Sequence, residues 1–208
     1  MEQHFVELDS LQFHPFNYRR ACTFALTPAN IFGMAFGLFM LSCPMMGWID
    51  YNSPTLGSML CFGGVCEYLC GFYNWHEGRG VQSFVDFVYG LLFLTIYYTI
   101  ELGKYSIPIP YEYHTYMQGV FYILWLTMLI ILVMVAYTRG IMYLLNFLLL
   151  FFGCLFALIW HFCKDSWARK TSGYFIFIAS IFLWLTGLFH LLNGVLRRPA
   201  IPCVEPRL

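Results

Sequence analysis

Six long apolar stretches, nearly free of charge, constrain this chain more than any other feature. They run from about Thr27 to Trp48, Leu56 to Trp75, Ser83 to Gly103, Tyr116 to Tyr137, Gly140 to Phe162 and Gly173 to Leu196. A membrane-spanning helix needs about 20 mostly apolar residues, and each stretch meets that length. None alternates with period two, and each is too long for the strands of a transmembrane barrel. The expected fold is all-α: a polytopic membrane protein with six transmembrane helices. Composition closes the soluble alternatives. Hydrophobic residues make up 60% of the 208 and charged residues only 11%, against about 25% charged in soluble domains. A globule so poor in charge cannot coat itself with solvated side chains. A net charge of 0 gives no reason to expect nucleic-acid binding.

The spans divide the chain into an N-terminal tail (1–26), a six-helix domain (27–197) and a C-terminal tail (198–208). The connections are short, and the longest, Lys104 to about Thr115, holds the helix-stopping Pro108 and Pro110. No cleavable signal peptide is evident, and there is no room for an extramembrane catalytic domain. An even number of spans puts both tails on one side. That side would hold Arg19, Arg20, Arg79, Arg139, Arg197, Arg198 and Arg207, the other Lys104, Lys164, Arg169 and Lys170. The excess of positive charge in cytoplasmic segments puts the tails in the cytoplasm. The plasma membrane is the expected location of this multi-pass protein.

Helices in lipid associate by close packing, so small residues mark contacts. Gly33 and Gly37 form one such pair; Gly64 and Gly71, Gly153 and Ala157, and Gly187 and Gly194 form others. Spans one, two, five and six are expected to form a tight inner set, and the bulky fourth span to face lipid. The eight cysteines read as small apolar packing residues, with no spacing that holds a metal.

Ionisable groups inside a span cost about 2.5–3.5 kcal/mol at the helix centre, so each needs a reason. Glu67 stands mid-way along the second span, with Asn74 two turns on. Asp86 opens the third span; capping a helix or reaching the interface would account for it. His190 lies deep in the sixth span on one face with Asn193, and Asn146 lies in the fifth. Such a set can line a polar path, where a carboxylate and an imidazole hand on a proton. Each can equally be structural glue, but together, in a chain without a soluble domain, they point to transport.

The order of motifs resembles the acetate uptake transporter family, also called the succinate–acetate permease family. Thr27-Pro-Ala-Asn-Ile-Phe-Gly-Met-Ala-Phe-Gly37 looks like its Asn-Pro-Ala-Pro-Leu-Gly signature with a trailing Gly-Phe-Gly. Gly63-Gly64 through Gly71 to Gly78 is similar to Gly-Gly-x-x-Gln-x-x-x-Gly-x-x-Glu and the basic loop after it. Tyr89-Gly90-Leu-Leu-Phe93 is like Ser-Tyr-Gly-x-Phe-Trp, and Gly187 to Asn193 is like the closing Glu-Val-Leu-Asn. The likeness covers about Thr27 to Pro202. It implies a homohexamer of six-helix subunits with cytoplasmic termini, each passing small mono- or dicarboxylates such as acetate and succinate together with protons. By position, Phe36 and Tyr89 match two aromatic constriction residues, a leucine of the constriction falls at Phe152, and Asn146 falls near a glutamine. The departures are specific: Thr27 and Asn30 replace the signature's Asn and second Pro, Glu67 replaces Gln, Asn74 replaces Glu, His190 replaces Glu, and Asp86 replaces an aromatic.

The expected function is passage of small monocarboxylates through a proton-coupled transporter or channel, with the bilayer, the carboxylate and protons as partners and no cofactor or metal. Thr27, Asn30, Tyr89, Asn146 and Asn193 would replace the water around the substrate. Thr27 and Asn30 would precede or open the first helix, where free N–H groups attract carboxylates. Phe36, Tyr89 and Phe152 would form a ring that restricts size, and Glu67 and His190 would set the pH dependence. The alternatives are ammonia, ammonium or another small solute through the same fold, and a non-transporting membrane sensor or scaffold. An enzyme is not expected: H-E-x-x-H and G-x-S-x-G motifs are absent.

Overall fold

A computed structural model describes the backbone of residues 15–104 and 111–195, and the side chains of 28–98 and 119–195 apart from 53, 138, 139 and 194. The described residues form helices and no strand. Helix α1 is Pro15–Met46. The second span is built from α2 (Ser53–Ser58), a π-helical stretch (Met59–Val65) and α3 (Cys66–His76). Helices α4 (Gly80–Lys104), α5 (Tyr111–Arg139), α6 (Ile141–Cys163) and α7 (Ser166–Val195) complete the chain. Six segments are long and apolar enough to cross a membrane, with mean hydropathy from 1.3 to 2.6. The expected spans are therefore all present. The C-terminal tail, Pro108 and Pro110 lie outside the described residues.

The turns follow from local chemistry. Gly47 and Gly78 sit at φ +81° and +73°, which a side chain disfavours, and each reverses the chain after a span. Asn52 accepts from the Thr55 N–H at 3.0 Å and so caps α2.

Helix α1 is the centre of the bundle: 72% of its span is buried, against 28% for the fourth span. The bulky fourth span is the least buried, with one face turned inward through Trp125, Leu129, Leu132 and Ala136 and the rest outward. α7 packs along α1, α6 along α7, and α5 along α6, while α3 packs along α4 and the π-helical stretch bridges α1 and α4. The small residues do mark contacts. A Cβ on Gly37 would come within 2.8 Å of Gly63 Cα, and one on Gly63 within 2.6 Å of the Phe93 ring. One on Gly153 would meet Ile176 at 2.8 Å, and one on Gly187 would meet Phe32 at 3.2 Å.

Two expectations are corrected. The inner set is not spans one, two, five and six alone, because α4 buries Asp86, Tyr89 and Phe93 completely or nearly so. A glycine stripe marks the helix that offers the hole; α4 supplies the rings that fill it, Phe93 against Gly37 and Gly63 and Phe87 against Gly71. Thr27 to Asn30 do not open a helix either. They lie inside α1, which begins at Pro15 and carries Pro28 in its interior. Their amide groups are part of a helix already under way, so the argument from a free N-terminus does not apply to them. The side chain of Thr27 lies outside the described residues, and residues 15–26, read from sequence as tail, continue α1.

Candidate functional site: a buried lane through the bundle

Three of the helices that turn a continuous face to the interior carry a polar side chain at an end of that face. On α1 it runs through Asn30, Met34, Leu38, Leu41 and Met45, on α4 through Asp86, Tyr89, Leu92 and Ile96, and on α6 through Asn146, Leu150, Cys154, Ala157 and His161. The steps of three and four keep each set on one side of its helix. All are buried except the half-buried Ile96. The lane between them has a polar end, an apolar middle and a second polar end.

The first polar end lies where α1 enters the membrane and α7 leaves it. Asp86 is fully buried and accepts three amide hydrogen bonds: from Asn30 Nδ2 at 2.7 Å, Asn74 Nδ2 at 2.6 Å and Gln82 Nε2 at 2.8 Å. The donors come from α1, α3 and α4, so one carboxylate ties three helices together. Ser83 Oγ adds a bond to the Gly71 carbonyl at 2.8 Å. An ionised group at this depth is tolerated because donors replace its water.

Glu67 has no such shell. It stands in the first turn of α3, two residues after the π-helical stretch, and is fully buried, and neither carboxyl oxygen has a hydrogen-bond partner. Only the Met34 amide approaches closely enough to interact weakly, and the charge of Asp86 is near enough to repel. The side chain lies beside α1 at Gly33, where a Cβ would stand 3.4 Å from Oε1. Other buried polar atoms are also unpartnered: Asn30 Oδ1, Tyr89 OH and both side-chain polar atoms of Asn146. Native interiors hold few such groups, and each calls for a partner the fold does not supply. Three of these side chains lie on the faces that bound the lane, and Glu67 stands beside α1 at Gly33.

The middle of the lane is apolar and narrow. Tyr89, 1% exposed, stands between Trp125 and Phe147, with ring centroids 6.0 and 6.2 Å away. Below it Leu38, Leu92, Leu150 and Cys154 enclose a cavity of about 20 Å³. That is room for a single water and not for a carboxylate. The lane is closed at this level.

The sequence-derived ring of Phe36, Tyr89 and Phe152 is not assembled. Among the described ring contacts Phe36 packs edge-on against Phe62 at 4.7 Å, and Phe152, 42% exposed, faces Phe175 at 5.8 Å. Phe147 and Trp125 take the places beside Tyr89. Spacing alone could have found Phe147: on α6 it follows Asn146 and precedes Leu150 and Cys154 by one and two turns. His190 is on a separate contact, its Nε2 lying 2.8 Å from Tyr143 OH between α7 and α6. Asn193, half-buried, is one turn further along α7. The residue whose weight sequence reasoning missed is Asp86, together with its donor Gln82. No group of three or more His, Cys, Asp or Glu able to hold a metal ion occurs among the described residues.

A six-helix membrane bundle around a closed, internally lined lane is the build of a small channel or transporter. The GPR1/FUN34/yaaH family model matches residues 14–201. The chain belongs to that family, the acetate transporters whose motifs it resembles. The bacterial acetate channel SatP has the same fold: the two structures superpose with a TM-score of 0.79 over 86% of this chain and 97% of that one, at 15% sequence identity. No curated protein matches the chain at a significant level.

Proposed function

We propose that this protein passes acetate and other small monocarboxylates across the plasma membrane, one proton accompanying each substrate past Glu67. The observation that carries the reading is the pair of unpartnered Glu67 oxygens beside an apolar closure. A bare carboxylate arriving there would meet the Glu67 carboxyl with Asp86 close by, and no cation among the described residues of the lane's inner half. One proton shared between Glu67 and the substrate turns that repulsion into a hydrogen bond, whichever oxygen holds it. Membership of the acetate transporter family supports the substrate class, and the fold shared with an acetate channel supports the route.

In this reading Asn30 and Asn146 solvate the substrate at the polar end, Tyr89 offers its hydroxyl at the closure, and Asp86 positions Asn30 and Asn74. Thr27, Asn193 and His190 belong to the mouth on the side of the termini, which face the cytoplasm. Phe36 and Phe152 shape the outer walls. Succinate is a second substrate, and the protein assembles as a homohexamer with one lane per subunit.

A second reading is favoured by one detail. The free atoms of Glu67 and Asn30 are acceptors, which suit ammonium as well as a protonated acid. Labelled acetate uptake into proteoliposomes of the purified chain separates the two. Saturable uptake absent from empty liposomes supports the carboxylate reading; ammonium flux without acetate uptake supports the other.

A further inference from the structure

At the end of the lane opposite Asp86, one cation has no anionic partner among the described residues. Arg169 lies in the first turn of α7, two turns before Ile176, which lines the central cavity. His161, at the far end of the α6 face, packs against Trp160 and Tyr122 with ring centroids 4.7 and 5.0 Å apart. Arg169 lies over the same Trp160, its guanidinium carbon 5.8 Å from the ring centroid. Its Nε is buried without a hydrogen-bond partner. The nearest acid in sequence, Asp165, is engaged elsewhere: its Oδ1 accepts from the Trp167 N–H at 3.0 Å. Gly47, at φ +81°, lies beside the guanidinium, where a Cβ would stand in ordinary contact 3.8 Å from Nη2. Tyr51 lies close enough to feel the Arg169 charge, which opposes the burial that pushes its phenol up to about 12.

A guanidinium beside an indole keeps N–H donors for anions, and its planar fork matches a carboxylate in two-point geometry. Lys164 and Lys170, both exposed, stand on the same side of the bundle as Arg169, with Asp50 and Asp165. The lane below Arg169 runs to an end dominated by carboxyl groups, so a guanidinium stands at one end and carboxyls at the other.

We propose that Arg169 is the docking site for the substrate anion at the mouth opposite the termini. It takes a small carboxylate out of water against Trp160 and Tyr51 before the closure at Tyr89 opens. The proposal rests on the carboxylate reading above and adds to it where, and in which charge state, substrate first binds.

The test is the initial rate of labelled acetate uptake into proteoliposomes over a range of acetate concentrations, for the wild type, R169Q, R169K and R79Q. R79Q removes the same charge from the opposite face. The expected result is an acetate KM raised about fivefold or more in R169Q with the maximal rate kept, a smaller rise in R169K, and no change in R79Q. In the unaltered protein, raising the salt to about 0.5 M should raise KM as well, because docking at a rim charge is screened. That arm stands even if a variant fails to fold. A wild-type KM in R169Q, or a KM indifferent to salt, overturns the docking site. A wild type that takes up no acetate overturns the carboxylate reading and this site with it.

Discussion

Asn74 Nδ2 donates to Asp86 Oδ2 across 2.6 Å, linking the end of α3 to the start of α4. In the family pattern that the second span resembles, a glutamate holds the position of Asn74. Here an amide stands at 74 and the carboxylate is on the neighbouring helix, and Asn30, at the place of a signature proline, supplies a further donor at 2.7 Å. The departures at 30, 74 and 86 meet in one hydrogen-bonded cluster.

That relationship makes the cluster sensitive to charge count. N74D places two carboxylates in contact and removes a donor, and should cost about 3–5 kcal/mol, the scale of breaking a buried charged contact. N74D with D86N restores one acid and one amide and should recover most of the loss. Thermal unfolding in detergent reads the difference, at about 2–4 °C per kcal/mol for a chain of this size. Equal melting temperatures for single and double variants would show that the two positions are not coupled.

The crossing of α1, the π-helical stretch and α4 is set by absent side chains. G63A drives a Cβ to 2.6 Å from the Phe93 ring and should lower stability by about 1–3 kcal/mol. Adding F93L should return part of it. G57A meets nothing within 4 Å and should change stability by no more than about 0.5 kcal/mol. If G63A and G57A melt together, the crossing is looser than the geometry here.

Tyr89 carries a hydroxyl that the folded protein leaves without a partner. Y89F removes a group whose burial is not compensated, so stability should hold or rise slightly. Acetate uptake should nevertheless fall, because the closure loses an unpartnered hydroxyl it offers a passing solute. Uptake at the wild-type rate from Y89F would mean that the ring acts by bulk alone.

Much of this was legible in the sequence. Six spans and the mostly outward-facing fourth helix follow from apolar runs longer than any strand, and Gly33, Gly37, Gly153 and Gly187 announce contacts because lipid rewards close approach and little else. The motif order carried the family. What could not be read was pairing across helices. Asp86 read as a cap because a lone carboxylate near a helix start usually is one, and only the bundle brings Asn30 and Asn74 to it. Phe152 was carried over by position in a run of leucine and phenylalanine, where a shift of a few residues turns a side chain from lane to lipid. The π-helical stretch leaves no local signature beyond Gly63 and Gly64, yet it sets the rotation that presents Glu67 inward.

A proton accompanying the substrate past Glu67 is the central claim. Its most direct measurement is labelled acetate uptake into proteoliposomes with and without an inward proton gradient, in the wild type and in E67Q at matched amounts of folded protein. The expected result is gradient-stimulated uptake in the wild type and uptake indifferent to the gradient in E67Q, whose amide keeps the shape and loses the exchangeable proton. Equal stimulation in the two proteins would contradict it.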